Sequence, residues 1–339
     1  MLQNNNFSDK ELYELLTTND KSMIENLHKK ARDIAQKVYS NEVYIRGLIE
    51  ISNFCRQGCF YCGINRANTR IKRYRLDKKE IIECAHRGYE FGFRTFVLQG
   101  GEDPIQDDDF FVEIIEEIKK LYPDTRITLS LGHRSKESYY RLKKAGADRY
   151  LLRHESANRS VFNKLHPADQ SLDQRVDDLV YMKSLGFHIG TGFMVQAPFS
   201  SIESHIEDIK LIRKLKPQMI GIGPFISHKD TIFKDQNNGT SDLTTRLLSI
   251  LRIENPYALI PSTTALNTID ENGRIKGILS GANVIMPNLS PSYAKENYTL
   301  YDKKKNKGLE SAFGLKELDD LLRRYGYKIV VDKGDYKGE

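Results

Sequence analysis

The segment Cys55-Arg56-Gln57-Gly58-Cys59-Phe60-Tyr61-Cys62 places three cysteines at the spacing C-x3-C-x2-C, and Gly63 follows directly. One short loop therefore supplies three thiolates. A cubane [4Fe-4S] cluster normally takes four cysteine ligands, so three leave one iron open to a small chelating ligand. The spacing predicts one [4Fe-4S] cluster held by Cys55, Cys59 and Cys62.

Two other interpretations of this loop are a zinc site and a set of unrelated thiols. Structural zinc needs a closed set of four ligands, and the only other cysteine, Cys84, lies well beyond the loop. No His-x3-5-His pair follows. Unrelated thiols are disfavoured because three of the four cysteines fall within eight residues, beside an aromatic residue and two glycines.

The same residues resemble the signature of the radical S-adenosylmethionine (SAM) superfamily, C-x3-C-x-aromatic-C, with Tyr61 in the aromatic place. The resemblance implies that SAM chelates the open iron through its amino and carboxylate groups. It also implies that an electron from the reduced cluster cleaves SAM to methionine and a 5′-deoxyadenosyl radical. A reductant such as ferredoxin or flavodoxin is then expected as a partner. The cofactor carries this chemistry, and the protein positions and shields it.

The composition is that of a globular protein, large enough for one α/β barrel or two smaller domains. The chain has 339 residues, of which 39% are hydrophobic and 10% aromatic. No apolar run reaches the roughly 20 residues of a membrane helix, and the start MLQNNNFSDKELYELL lacks a signal-peptide core. The few, bunched cysteines are typical of a reducing compartment. We expect a cytoplasmic protein that binds no membrane.

The net charge of +6 is spread along the chain and is typical of a solvated surface, so no nucleic acid partner is expected. One basic run, Lys72-Arg73-Tyr74-Arg75, follows the cysteine loop. It is interpreted as a solvated face, with a lid over the site as the alternative.

From residue 43 onwards, short runs rich in Val, Ile and Leu alternate with polar helical stretches. The strand candidates are 43–52, 95–99, 126–131, 149–155, 188–195, 219–225, 258–265 and 283–288. Helices with capping residues or acids at the start, or Gly or Pro at the end, are predicted over 77–92, 107–122, 135–147, 171–186 and 201–216. Eight strand–helix units predict an α/β fold, a (β/α)8 TIM-type barrel. An open, doubly wound sheet is the alternative.

Three parts are predicted along the chain. Residues 1–42 form an N-terminal helical cap, since Leu12, Leu15 and Leu16 recur at helical spacing. Residues 43–300 form the barrel. Residues 301–339 form a short C-terminal extension with one helix over 315–327.

Chemically suggestive residues recur where the strands end, which is where such barrels place their active sites. Gln99-Gly100-Gly101-Glu102 ends the second strand. Its glycines let backbone carbonyls approach a ligand closely, and a carboxylate beside them suits a cationic amino group. Further strand ends carry Ser130, Arg153, Glu155, Met194, Pro224, Thr263 and Thr264. Downstream of the cysteine loop, the Gly-Gly-Glu turn matches a motif of radical SAM proteins.

The fourth strand carries more charge than a barrel interior normally tolerates. Side chains alternate along a strand, so Arg149, Leu151, Arg153 and Glu155 share one face. Parallel barrel strands are buried on both faces, and Tyr150 and Leu152 occupy the other face, so the charged face is the interior. Glu155 neutralises one arginine at most. The remaining cation is predicted to bind an anionic part of the substrate, with an internal salt-bridge network as the alternative.

Longer stretches resemble the E-type maturase (HydE) family of [FeFe]-hydrogenase over roughly residues 43–300. They are VLQGGEDP, RLKKAGADRYLLRHESAN, IGIGPFISHKDT, IPSTTALNTI and LSGANVIMPNLSP. That family is a (β/α)8 barrel with one radical SAM cluster. Its resemblance implies a small-molecule or organometallic iron substrate, an iron–cyanide–carbonyl–cysteine precursor, and other hydrogenase maturases as possible partners.

By position, the resemblance assigns two sets of site residues. The cofactor set comprises Tyr61, Gly100, Gly101, Glu102, Ser130, Glu155, Arg175, Met194 and Ile226. The substrate set comprises Gln99, Arg149, Arg153, Thr263, Thr264 and Tyr293. Two departures from the family stand out. Some members carry three more cysteines near the C-terminus, where this chain reads DKKKNKGLESAFGLKE, and the tyrosine after Ser290-Pro291 is shifted by one residue.

Three rival functions stay open. A methylornithine synthase, which is a lysine mutase, binds an ammonium group and needs acids in its cavity. A biotin synthase needs a sulfur-donating second cluster, and Cys84 alone cannot hold one. A non-catalytic iron–sulfur carrier or scaffold needs no SAM pocket, so the Gly-Gly-Glu turn argues against it.

Overall fold

The structure is a computed structural model that describes residues 6–305 and 308–338. Its strands are β1 (Glu42–Ile45), β2 (Gly47–Ser52), β3 (Thr95–Gly100), β4 (Arg126–Ser130), β5 (Arg149–Leu151), β6 (His188–Thr191), β7 (Met194–Val195), β8 (Met219–Ile220), β9 (Gly223–Pro224), β10 (Val284–Ile285) and β11 (Lys328–Val330). All of the strand pairs are parallel.

Helices fill most of the intervals between the strands. They are α1 (Asp9–Thr17), α2 (Lys21–Tyr39), α3 (Lys78–Glu90), α4 (Asp108–Leu121), α5 (Lys136–Lys144), α6 (Arg159–Leu165), α7 (Leu172–Ser184), α8 (Ile202–Leu215), α9 (Ser241–Glu254), α10 (Thr264–Ile269), α11 (Gly273–Leu279), α12 (Ser292–Asn297) and α13 (Leu315–Arg323). Short 3-10 turns cover Gly308–Glu310 and Ala312–Gly314. Within the described ranges, no helix has both the length and the apolar content needed to cross a membrane.

Eight strand segments form the closed barrel. Six of them form one sheet in the order β2-β3-β4-β5-β6-β8. Isolated bridges complete the circle, because Met219 pairs with Leu259, Pro261 with Val284 and Asn288 with Leu48. The predicted (β/α)8 barrel is therefore confirmed, and the open, doubly wound sheet is excluded.

The predicted strand 258–265 is wrong in its second half. Thr263 caps α10 and accepts a hydrogen bond from the backbone N–H of Leu266, so the chain turns into a helix there. The predicted strand 188–195 divides into β6 and β7 at Gly192, where a Cβ atom would lie 1.9 Å from the carbonyl oxygen of Gly221. The strand 43–52 also divides, since β1 pairs with β10 and β11 while β2 joins the main sheet.

Apolar side chains occupy two main layers around the barrel wall. One lies between the main sheet and the helices outside it, and includes Phe96, Ile114, Ile127, Tyr139 and Leu179. The other buries the N-terminal helices against α8 and α9, and includes Leu12, Leu27, Leu247, Leu251 and Ile260. The three-part division of the chain stays a prediction.

Candidate active site

The three clustered cysteines lie on the loop between β2 and α3, at the carboxyl end of the barrel. All three are half-buried free thiols. The backbone N–H of Gln57 donates to Cys55 Sγ at 3.4 Å, and Gln170 Nε2 donates to Cys59 Sγ at 3.2 Å. Such N–H donors favour sulfur that carries negative charge.

One half-buried arginine gives the cysteine loop its shape. The guanidinium of Arg73 donates to the backbone carbonyls of Asn53, Ile64, Asn65 and Asn68. The interpretation of the run 72–75 as a solvated face is therefore wrong for Arg73, which folds the loop from inside.

The surroundings of the thiols fit an iron–sulfur cluster. Burial raises the pKa of Cys59 to about 11, and burial together with the neighbouring cysteines raises the pKa of Cys62 well above its usual value. Thiolates here therefore need a bound cation. In the described part of the chain, no three Cys, His, Asp or Glu side chains converge to hold a single ion. A cubane needs no such convergence because each cysteine binds a separate iron.

The Gly-Gly-Glu turn braces the cysteine loop. A Cβ atom on Gly101 would lie 2.2 Å from the carbonyl oxygen of Phe54 and 2.7 Å from Cys55 Cβ, so only glycine fits. Buried Glu102 accepts hydrogen bonds from Arg56 Nε at 3.1 Å and Gln57 Nε2 at 2.6 Å. Its other oxygen accepts the backbone N–H of His133. Glu102 therefore ties the loop to the end of β4.

A cavity of about 340 Å³ fills the barrel interior below this loop. Several predicted site residues line it together, namely Tyr61, Cys62, Gln99, Gly100, Ser130, Arg153, Glu155, Arg175, Met194, Ile226 and Thr263. The structure therefore brings the cysteine loop, most of the predicted cofactor set and half of the predicted substrate set to one space.

The remaining predicted residues lie outside the cavity lining. Gly101 and Glu102 contact the cysteine loop, as described above. Thr264 Oγ1 donates to Glu310 Oε2 at 2.6 Å. Tyr293 is 40% exposed and its hydroxyl donates to Glu80. Two tyrosines later in the chain, Tyr298 and Tyr301, line the cavity instead of Tyr293.

Arg149 is also outside the cavity lining, at the start of β5. Its fully buried guanidinium donates to the carbonyl oxygens of Lys333 and Gly334 and pairs with Asp335, with Nη2 to Oδ1 at 2.8 Å. The prediction that Glu155 is the only partner for the arginines of this strand is therefore wrong. Asp335 belongs to the C-terminal tail, which was predicted as an extension outside the barrel.

A hydrogen-bonded network joins the cysteine loop to the cavity wall. Gln170, which donates to Cys59, accepts from Arg175 Nη2 at 2.9 Å. Arg175 Nη1 donates to the carbonyl oxygen of Arg153 at 2.8 Å. Arg153 Nη2 in turn lies 3.2 Å from Glu155 Oε2. This network therefore fixes the positions of the charged side chains in the cavity wall relative to the cysteines.

Glu155 has a backbone conformation that non-glycine residues seldom adopt, with φ at 64°. Two hydrogen bonds hold it there, since its N–H donates to the carbonyl oxygen of Gly192 and its own carbonyl accepts from Met194. Such strain persists only where the surrounding structure imposes it, and it concentrates at functional sites.

The cavity wall also includes a cation that was not predicted from the sequence, Arg46. Arg46 lies between β1 and β2 and is buried. Its Nη1 lies 3.1 Å from Met219 Sδ, while Nε and Nη2 have no hydrogen-bond partner among residues 6–305 and 308–338. Burial, reinforced by Arg149, lowers the pKa of Arg46 well below its usual range. A single charge inside the apolar run VYIRGLI was the available signal.

The chain after α12 completes the cavity wall. Tyr298, Leu300 and Tyr301 line the cavity. The backbone N–H of Gly63, next to the last cluster cysteine, donates to the carbonyl oxygen of Leu300 at 2.9 Å. Further on, Lys304 forms a buried ion pair with Glu50 on β2.

Comparisons with known proteins agree with this geometry. Residues 49–230 match the family described as the Radical SAM superfamily. Over 300 residues, the chain is 43% identical to the [FeFe] hydrogenase maturase subunit HydE of Thermotoga maritima, covering 88% of this chain and 85% of that protein. It is 29% identical to the 3-methylornithine synthase of Methanosarcina barkeri over 87% and 83% of the two chains. The crystal structure of methylornithine synthase (PylB) superposes with a TM-score of 0.84 at 25% identity, over 96% and 95% of the chains.

Proposed function

Because the chain belongs to the radical SAM superfamily, and within it to the family of the [FeFe] hydrogenase maturase subunit HydE, we propose that it is the radical SAM enzyme of [FeFe]-hydrogenase maturation. When bound, a [4Fe-4S] cluster and SAM supply one-electron cleavage of SAM for a radical reaction. The residues of this chain bind, orient and shield the reactants. We place the protein in the cytoplasm, in keeping with its free cysteines.

Cys55, Cys59 and Cys62 would hold one cluster. Cys84, the only other cysteine of the sequence, is buried in the apolar layer beside α3 and has no neighbouring cysteine with which to hold a second. SAM would lie against Tyr61, Gly100, Ser130, Glu155, Arg175, Met194 and Ile226, which line the cavity next to Cys62. Gly100 and Glu155 offer a carbonyl and a carboxylate for its amino group, and Met194 and Ile226 offer apolar contact.

The observation that carries the proposal is the charge of the cavity. Arg46, Arg153 and Arg175 line it, whereas Glu155 is the only carboxylate on its wall in the described residues. Glu155 already faces Arg153. A buried charge without a partner costs several kcal/mol, so an anionic ligand would stabilise Arg46. We propose that the substrate is a small anionic or organometallic iron compound whose carboxylate or metal-bound cyanide contacts Arg46 and Arg153.

The properties of the same cavity disfavour two alternative functions. A methylornithine synthase shares the fold, but the ammonium groups of lysine need carboxylates, and three arginines would repel them. A non-catalytic carrier has no use for a cavity of about 340 Å³ beside its cluster.

The proposal is tested in cells that express an [FeFe]-hydrogenase with its other maturases but lack their HydE. This protein should restore hydrogenase activity, and the Cys59→Ala variant should not. The same preparations are assayed for conversion of lysine to methylornithine. Methylornithine formation without restored hydrogenase would overturn the assignment in favour of the mutase.

A further inference from the structure

Positive charge is concentrated around the cysteine loop. Residues 53–76 contain six cations and no acidic residue, as much positive charge as the net +6 of the whole chain. Two of the six face inward, since Arg73 binds loop carbonyls and Arg75 pairs with Asp103. The other four are exposed: Arg56, Arg66, Arg70 and Lys72.

Neighbouring loops extend this exposed surface on one side of the cysteines. The backbone N–H of Phe60, between Cys59 and Cys62, donates to the carbonyl oxygen of Leu165. Lys164, the preceding residue, is exposed, and its Nζ lies 5.1 Å from the ring centroid of Phe199. Phe199 is 56% exposed, so an apolar ring lies beside the cations.

Further contacts link this surface to a second part of the cysteine loop. The ring of Phe199 lies 5.9 Å from that of Phe233, and the adjacent Ile232 is 71% exposed. Arg70 on the cysteine loop pairs with Asp230 at 3.1 Å. These contacts link residues 53–76 to Lys164, Phe199 and residues 229–234 in one surface, which we call the cluster rim. Its exposed cations are Arg56, Arg66, Arg70, Lys72, Lys164, Lys229 and Lys234.

Acidic residues offset only part of this charge. Asp230 pairs with Arg70, Asp169 lies 3.6 Å from Arg66, and Asp235 is exposed. Glu102 also pairs with Arg56 at 3.1 Å, and Asp302 accepts the backbone N–H of Lys229, so seven exposed cations meet five acids. Exposed apolar side chains within a charged ring are typical of a protein-binding surface.

We propose that the cluster rim is the docking surface for a small, acidic one-electron carrier protein of the flavin or iron–sulfur class. This inference rests on the proposed function, which requires a reduced cluster. One electron leaves the carrier, which is oxidised, and enters the cluster, which is reduced; no atom or proton is transferred. A basic surface steers an acidic partner and raises the association rate, and weak redox complexes use small interfaces.

The test compares two charge-reversal variants of the reconstituted holoenzyme. Lys72→Glu/Lys234→Glu alters the rim, and Lys10→Glu/Lys29→Glu makes the same change in net charge on the exposed faces of α1 and α2. A purified acidic flavodoxin is the probe. Its dissociation constant is measured by titration, and the rate of cluster reduction by stopped-flow absorbance.

At about 0.05 M salt, we expect the rim variant to bind the flavodoxin roughly tenfold more weakly and to be reduced correspondingly more slowly. The control should stay within about twofold of wild type, and the difference should shrink at about 0.5 M salt as screening increases. Equal binding by both variants would overturn the docking surface. SAM cleavage driven by dithionite should be equal in all three proteins, and its absence from wild type would contradict the proposed function instead.

Discussion

Arg149 Nη2 lies 2.8 Å from Asp335 Oδ1, so a buried arginine at the start of a barrel strand is neutralised by the C-terminal tail. The two residues are 186 positions apart in the sequence. This pair lies at the amino ends of the strands, whereas the cysteine loop follows the carboxyl end of β2. We therefore interpret Arg149 as a residue that stabilises the barrel, and we propose Arg46 as a cation that binds the ligand.

Replacing Arg149 by Met should destabilise the barrel. The substitution removes the donor to the carbonyl of Gly334 and leaves Asp335 paired with Arg126 alone, which should cost about 2 kcal/mol of unfolding free energy. Denaturant unfolding measures this loss, and SAM cleavage should fall with it. Lys333→Met is the matched control, because only the backbone of Lys333 takes part in the contact. A stable Arg149→Met protein that fails only in maturation would restore a substrate role for Arg149.

The pair with Asp335 should also make stability depend on pH in a defined window. Although burial opposes it, the guanidinium groups of Arg126 and Arg149 lower the pKa of Asp335 to about 2. A carboxyl with a lowered folded pKa stabilises the fold above its unfolded pKa of about 4 and loses that contribution as pH falls towards 2.

Thermal unfolding of wild type and Asp335→Asn measures the effect across that window. Wild type should have the higher melting temperature at neutral pH, and the difference should narrow between about pH 4 and pH 2. A difference that stays constant down to pH 2 would show that the charge of Asp335 contributes nothing.

Replacing Arg46 by Met should weaken substrate binding without lowering the stability of the fold. Removing a buried charge that lacks a partner is neutral or stabilising, so the melting temperature should hold or rise. SAM cleavage under dithionite should persist, while hydrogenase maturation falls at least about tenfold, the equivalent of roughly 1.4 kcal/mol of lost binding. The Arg46→Lys variant keeps a charge but not the planar guanidinium, and should recover little activity. Wild-type maturation by Arg46→Met would remove this residue from the substrate site.

Iron analysis should distinguish one cluster from two. Anaerobic reconstitution of wild type should give about four irons and four sulfides per chain. Cys59→Ala should lose the cluster and the SAM cleavage that depends on it, whereas Cys84→Ala, a buried residue of α3, should retain both. About eight irons per chain would contradict a single cluster, and stoichiometric zinc would contradict the cluster itself.

The sequence predicted the parts of the fold and site that depend on local patterns. The cysteine spacing, the Gly-Gly-Glu turn and the alternation of strands and helices are each contained in a few neighbouring residues. Contacts between distant segments were not predictable in this way. Asp335 reaches Arg149 from the tail, and Tyr298 and Tyr301 line the cavity while Tyr293 faces Glu80. Helical spacing alone does not fix which of several nearby tyrosines turns inward.

The position of the tail has a consequence for synthesis on the ribosome. Strand β11 and Asp335 belong to the last dozen residues of this sequence, yet β11 pairs with β1, and Asp335 neutralises a buried charge of β5. While the last residues are still inside the exit tunnel, the emerging barrel lacks both contacts. We therefore expect the native barrel to form only after residues 328–335 have emerged from the tunnel.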